Sequence, residues 1–242
     1  MIVLSVGMPR AGSGWHYNLI HDLMEAAGYT DTRVIREKYR LQSILTEVNC
    51  NIGVLSVRRM GMVSVPALAG NDFVIKAHAG PSASSRLLQR LNLIRITYIY
   101  RDPRDAMLSA YDYGQRALQK GRPNAFSHLT DFEKSLGFMM DYVRIWEGWM
   151  REKGVLIARY EDLLTDYDSE AKRLVEFLKL DGGRSEIQKV TDGYRPGAAE
   201  GLQGLHFFKG KIGRFRESYS AEQQAILKER MGGYLSKMGY EL

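Results

Sequence analysis

The first fifteen residues constrain the fold most. Ile2-Val3-Leu4-Ser5-Val6 is a short apolar run rich in β-branched residues. Gly7-Met8-Pro9-Arg10-Ala11-Gly12-Ser13-Gly14 follows, small and glycine-rich. From Trp15 onward, Trp15, Leu19, Ile20, Leu23, Met24 and Ala27 recur at helical spacing, and the helix should end near Gly28. A strand, a glycine-rich loop and a helix in this order form an anion cradle. The glycines let backbone N–H groups turn inward, and the helix N-terminus adds the positive end of its dipole. Gly7 and Gly12 have the spacing of the nucleotide P-loop, but Ser13-Gly14 stands where that motif needs lysine and a hydroxyl residue. The loop's cation is Arg10.

The rest of the chain alternates in the same manner. Phe73-Val74-Ile75-Lys76-Ala77-His78 reads as a buried strand ending in polar residues, and Pro81 opens a helix to about Leu91. Ile94 to Tyr100 is the clearest strand and ends at Arg101. Asp102-Pro103-Arg104-Asp105 is a helix start, with Asp102 as cap and Asp105 three residues on. That helix runs to about Leu118, and a long one covers Asp131 to Met150. Val155 to Tyr160 is a further strand; Glu170 to Leu178, Arg184 to Val190 and Ala221 to Met238 are helices. Val34-Ile35 reads as a short strand and Arg36 to Val48 as a helix, whereas 51–70 show no clear period. The expectation is one α/β domain over residues 1–242, with a central parallel sheet covered by helices on both faces. Residues 193–218, with several glycines and basic residues, read as a functional loop.

Charge and composition narrow the partners. The net charge of +6 suits nucleic acid, a membrane surface or a small polyanion. No block of five like charges occurs, which disfavours nucleic acid. No apolar run reaches transmembrane length, so stable membrane insertion is not expected, and the opening run is too short for a signal-peptide core. A single cysteine, Cys50, excludes intrachain disulfides and cysteine-rich zinc sites and fits a reducing cytoplasm.

In an open α/β sheet, ligands bind at the carboxyl ends of the strands. The predicted strands end at Arg10, at Lys76 and His78, at Arg101 and at Tyr160. Cations, an imidazole and an aromatic ring on one edge suit an anionic nucleotide and a proton transfer. Two other readings use the same residues: a P-loop kinase-like enzyme, which the missing Gly-Lys-Ser/Thr opposes, and a non-catalytic nucleotide- or RNA-binding module.

With these residues in place, the chain resembles the cytosolic-type sulfotransferases that use 3′-phosphoadenosine 5′-phosphosulfate (PAPS), as a divergent member. Pro9-Arg10-Ala11-Gly12-Ser13-Gly14-Trp15 is similar to the family's P-K-x-G-T-T-W, and Lys76-Ala77-His78 to its K-x-H. Arg101-Asp102-Pro103-Arg104-Asp105-Ala106-Met107-Leu108-Ser109 matches R-N-P-x-D-x-x-x-S. Tyr160-Glu161-Asp162-Leu163 matches Y-E-D-L, and Phe208 to Phe215 resembles R-K-G-x-x-G-x-W. The resemblance implies that Arg10, Ala11, Gly12, Ser13, Gly14 and Trp15 wrap the 5′-phosphosulfate. It implies that Arg101 and Ser109 hold the 3′-phosphate, that Tyr160 lies near the adenine, and that Lys209 and Gly210 close over the 3′-phosphate. His78 would be the general base, Lys76 would stabilise the sulfuryl oxygens, and Arg10 would balance charge on the departing phosphate. The product would be 3′-phosphoadenosine 5′-phosphate (PAP, 3′,5′-ADP), with no metal and a small-molecule, glycan or lipid hydroxyl as acceptor.

The departures are specific. Arginine replaces lysine at position 10, Ser13-Gly14 replaces two threonines, and Phe208 stands where an arginine is expected, with Lys211 and Arg214 nearby to replace it. The family's C-terminal dimer motif is not recognisable in residues 216–225, so the oligomeric state stays open. Glu161 and Asp162 read as caps of a short helix. Tyr111, Tyr113 and Phe126 read either as local packing or as acceptor lining. His16, His21, His128 and His206 read as surface or packing residues.

Overall fold

The computed structural model describes residues 1–197 and 211–242. Phe208, Lys209 and Gly210, and with them most of the predicted functional loop, lie outside the described residues. Strand β1 (Ile2–Gly7) leads into helix α1 (Ser13–Ala26), and α2 (Thr32–Lys38) and α3 (Val57–Leu68) precede β2 (Phe73–Ala77). Helix α4 (Ala83–Arg90) returns the chain to β3 (Ile94–Tyr100); α5 (Pro103–Gln119) and α6 (Phe132–Met150) follow, then β4 (Val155–Arg159). The chain closes with α7 (Tyr160–Thr165), α8 (Tyr167–Leu178), α9 (Ser185–Gly193), α10 (Phe215–Ser218) and α11 (Ala221–Met238).

The four strands form one parallel sheet in the order β2-β1-β3-β4. The chain leaves β1 to one side for β2 and crosses back for β3. The reversal puts a crevice outside the carboxyl ends of β1 and β3, where α/β sheets bind ligands. The period-two alternation of β1 feeds two cores. Ile2, Leu4 and Val6 pack with Met60 and Val63 of α3, Met107 of α5, Trp146 and Trp149 of α6 and Met231 of α11. Val3 faces the other way, onto Leu19 and Leu23 of α1, Leu174 of α8 and Ile187 of α9. Both faces of the sheet are thus covered, which explains why its strands read as apolar runs.

The sequence reading departs from the structure mainly between residues 29 and 82. Val34-Ile35 is helical rather than extended, because Asp31 caps α2 by accepting the N–H of Arg33 at 2.8 Å. Arg36 to Val48 is not one helix: α2 ends at Lys38, and Arg40 takes a left-handed backbone conformation (φ 54°). Residues 50–52 instead run beside β2, with the Lys76 N–H on the Cys50 carbonyl at 3.2 Å and the Ile52 N–H on the Lys76 carbonyl at 2.9 Å. Helix α4 opens two residues after Pro81, on a capping box between Ser82 and Ser85.

Candidate active site

The loop after β1 is shaped by close approach. A side chain at Gly7 would collide with Ile99 and Ser13, each 2.7 Å from a built Cβ. Gly12 has φ 75°, and a Cβ there would lie 2.5 Å from the ring of Tyr160. Glycine is required at position 12 on both counts. The Met8 N–H bonds the Ile99 carbonyl at 2.9 Å, so the loop starts anchored to β3. Arg10 sits at the tip with φ 63°. Its Nε donates to Ser109 Oγ at 3.3 Å, and its guanidinium lies 4.5 Å from the centre of the Tyr113 ring.

A cleft of about 240 Å³ opens over the carboxyl ends of β1, β2 and β3. Of the residues expected at the site, Arg10, Gly12, Ser13, Gly14, Trp15, Lys76, His78, Arg101, Ser109 and Tyr160 line it. Lys211 and Arg214 join them, giving five basic side chains and no carboxylate among the described lining residues. Ala11 is the exception. Its methyl group is fully buried in the core, so only its backbone could serve the cradle. Lys209 and Gly210 lie outside the described residues.

The two ends of the cleft are built differently. At the β3 end, Arg101 Nη2 donates to Asp105 Oδ2 at 3.2 Å and to the Lys211 carbonyl at 2.8 Å. Its guanidinium lies 4.5 Å from the centre of the Tyr160 ring, and its Nε is buried with no hydrogen-bond partner among the described residues. Asp105 was expected to complete the cap of α5. Instead Glu161 Oε1 accepts the Asp102 N–H at 3.1 Å, and its Oε2 accepts the Tyr240 hydroxyl at 2.8 Å. Glu161 is thus more than the cap of a short helix. Asp105 turns to the chain's later segment, accepting the N–H groups of Gly213 at 2.7 Å and Phe215 at 3.0 Å. Arg214 is held by Asp112 at 2.7 Å. Tyr160 is itself a buttress, wedged between Gly12, Trp15 and Arg101.

At the β2 end, His78 Nδ1 lies 2.6 Å from the Gly7 carbonyl. A carbonyl only accepts, so Nδ1 carries the proton and Nε2 of the neutral ring has a free lone pair. The Trp149 indole donates to the Ala79 carbonyl at 3.0 Å and fixes the next turn. Burial, reinforced by the Lys76 charge, pushes the His78 pKa down to about 4; the Gly7 bond acts in the opposite sense. Burial and the charge of Arg10 lower Lys76 to about 8. No carboxylate pairs with the Lys76 ammonium among the described residues. Beneath it, His16 is fully buried with Nδ1 3.3 Å from Ser5 Oγ, and burial with the Lys76 charge lowers its pKa to about 3.

Sequence reasoning missed Asn49, which reaches the cleft from the irregular segment before residue 50. No periodicity marks it. Tyr113 and Phe126 also line the cleft, in edge-to-face contact at 5.8 Å. His21, expected as packing, is ringed by Asp22, Glu25 and Asp31 at 3.0 to 3.5 Å, and none of the four lines the cleft.

Residues 2–194 match the sulfotransferase domain family. Sulfotransferase 2B1 of Homo sapiens is 32% identical over 152 residues, spanning 59% of this chain and 37% of that protein. Cytosolic sulfotransferase 1 of Danio rerio is 22% identical over 263 residues, spanning 99% of this chain and 86% of that protein. Against the sulfotransferase 2B1 proteins of mouse and human, the match covers no more than 40% of their length. In fold, retinol dehydratase, solved in complex with androsterone and inactive cofactor PAP, superimposes with a TM-score of 0.60 at 19% identity, covering 100% of this chain and 82% of that one. With a family match over four-fifths of its length, the chain belongs to the sulfotransferase family.

Proposed function

We propose that the chain transfers the sulfuryl group of PAPS to a hydroxyl of a small acceptor, with His78 as general base. One observation carries the reading. The Gly7 carbonyl fixes the His78 tautomer, leaving Nε2 unprotonated in a cleft that has five cations and no described carboxylate. The site also fits the anionic co-substrate. Among the described residues, Arg101 Nε is buried without a hydrogen-bond partner and the buried Lys76 has no countercharge. Gly12 and the start of α1 offer backbone N–H groups to a phosphate.

When bound, PAPS supplies an activated sulfuryl group and leaves as 3′,5′-ADP. Residues 10–15 hold the 5′ end, and Arg10 and Lys76 balance the charge that builds on the oxygens as the bond breaks. Arg101, Ser109 and Lys211 hold the 3′-phosphate, with Lys209 and Gly210 assigned by motif alone. Tyr160 backs the nucleotide site. His78 Nε2 takes the proton of the attacking hydroxyl. Its low pKa keeps the ring neutral at pH 7, and an anion beside Lys76 raises its basicity. Tyr113, Phe126 and Asn49 supply a partly apolar wall for the acceptor, which suits a small hydroxyl compound with an apolar body. Retinol dehydratase, with androsterone or retinol in its solved complexes, supports this class.

Isothermal calorimetry tests the assignment. We expect 3′,5′-ADP to bind at least about tenfold tighter than 5′-AMP, a gap of about 1.4 kcal/mol. Arg101→Ala should erase most of that gap. Equal affinity of the native chain for the two nucleotides would contradict the reading.

A further inference from the structure

Helix α3 is largely apolar on its outer side as well as on its core side, and it lies at the surface. Its inner side, Met60, Val63 and Ala67, belongs to the core. At 100° per residue, Val57, Arg58, Gly61, Val65 and Leu68 fall within about 100° of arc on the opposite side, and all five are exposed. Val57 is 77% and Leu68 70% exposed. Arg58 is the one polar side chain on this outer face, because Arg59 turns back to the Ile52 carbonyl and Ser64 to that of Met60. A surface helix ordinarily turns charged residues outward, so a helix apolar on both sides lacks a partner.

Helix α4 continues the surface. Ser84 Oγ donates to the Leu55 carbonyl at 2.8 Å, tying the start of α4 to the start of α3. Both helices cover the same face of the sheet, with Leu88 of α4 packed on the core that holds Met60. The outer side of α4 exposes Leu87 together with Arg86 and Arg90, and Leu91 follows.

The charged side chains of α3 and α4 themselves are all arginines. Between Val48 and Arg101 the only acidic residue is Asp72, and it pairs with the N-terminal amine. Arg86 meets Glu152 from outside the two helices, whereas no carboxylate pairs with Arg58 or Arg90 among the described residues. A second copy docked by two-fold symmetry would bring these arginines against their own mates. An anionic bilayer meets both requirements: its headgroups pair with arginine, and its acyl boundary accepts valine and leucine.

From this complementarity we infer that the α3–α4 face adsorbs peripherally to anionic lipid membranes. No helix among the described residues is long and apolar enough to cross a membrane, so this is contact at the interface. The inference does not rest on the sulfotransferase chemistry.

Sedimentation with phosphatidylcholine vesicles, with and without phosphatidylserine, tests it. The chain should partition at least about tenfold more strongly onto the anionic vesicles, and raised salt should remove the preference. The combined variant Val57→Ser, Val65→Ser, Leu68→Ser should lose at least about tenfold of that binding with its melting temperature retained, since all three side chains are exposed. Arg58→Glu with Arg90→Glu should lose it too, which covers the case of an unstable apolar variant. Absence of vesicle binding, or binding equal in native chain and variants, would overturn the inference. So would self-association in sedimentation velocity that the variants abolish, which would assign the face to a second copy. Binding of polyglutamate but not vesicles would assign it to an acidic protein and overturn it equally.

Discussion

The two ends of the cleft hold similar cations in opposite states of compensation. Arg101 has a fully buried carboxylate, Asp105, at 3.2 Å, and Arg214 has Asp112 at 2.7 Å. Lys76, equally buried, has none among the described residues, and Arg10 rests on a hydroxyl and an aromatic ring. A cation with its own counterion holds one geometry before a ligand arrives. A cation without one stores unfavourable electrostatic energy that an incoming anion relieves. Burial, with the Arg10 charge at Lys76 and the Lys76 charge at His78, lowers their pKa values to about 8 and about 4. Under the proposed function, the Arg101 end serves recognition and the Lys76–His78 end serves chemistry. Activated sites often concentrate perturbed groups in this way.

If the division holds, substitutions at the two ends should split binding from turnover. The largest effect belongs to His78. His78→Ala should lower transfer to an alcohol acceptor by roughly 10²–10⁴-fold, the range of a positioned acid–base group. Its affinity for 3′,5′-ADP should change by less than about threefold, because no phosphate contact is lost. Steady-state rates and calorimetry on the same preparation read both, and near-native turnover would make His78 a structural residue.

A smaller effect is expected at the other end. Asp105→Asn keeps the side-chain volume but puts an amide where one carboxylate meets Arg101, Gly213 and Phe215. Affinity for 3′,5′-ADP should fall about tenfold with little change for 5′-AMP. The protein should also lose roughly 1–3 kcal/mol of stability in urea unfolding. Unchanged discrimination between the two nucleotides would detach Asp105 from the phosphate site.

The smallest effect sharpens the comparison from beneath the reacting end. His16 is held unprotonated, its pKa lowered from 6.5 to about 3. In the unfolded chain the imidazole takes a proton once the pH drops below about 6.5. The unfolded state therefore binds more protons between those values, and stability falls as pH falls through that window. His16→Gln should keep a partner for Ser5 while making the melting temperature less sensitive to pH from 6.5 downward. An unchanged slope would mean that other groups set it.

Much of this site was legible because its residues follow strands. The β-branched run of β1, the Lys76-Ala77-His78 end of β2 and the Arg101 end of β3 carry local signals, and a parallel sheet brings such ends together. Asn49 was not legible, since residues 50–52 attach to β2 through backbone hydrogen bonds that leave no periodicity. Asp105 misled for another reason. Its spacing from Asp102 satisfies a capping box, yet the backbone N–H groups it accepts lie more than a hundred residues later, at Gly213 and Phe215. Ala11 matched its motif position while its methyl group filled the core. In 29–48 the capping bond of Asp31 prevailed over the β-propensity of Val34-Ile35.

Among the described residues the Lys76–His78 end lacks a countercharge, and under the proposed function the nucleotide brings one. Titration of the His78 ring by NMR, alone and with saturating 3′,5′-ADP, tests it most directly. In the free protein the ring should titrate near 4, well below an ordinary histidine. With the nucleotide its pKa should rise, because the bound phosphate offsets the Lys76 charge. A free value at or above about 6.5, or a value that stays constant or falls when 3′,5′-ADP binds, would contradict the account.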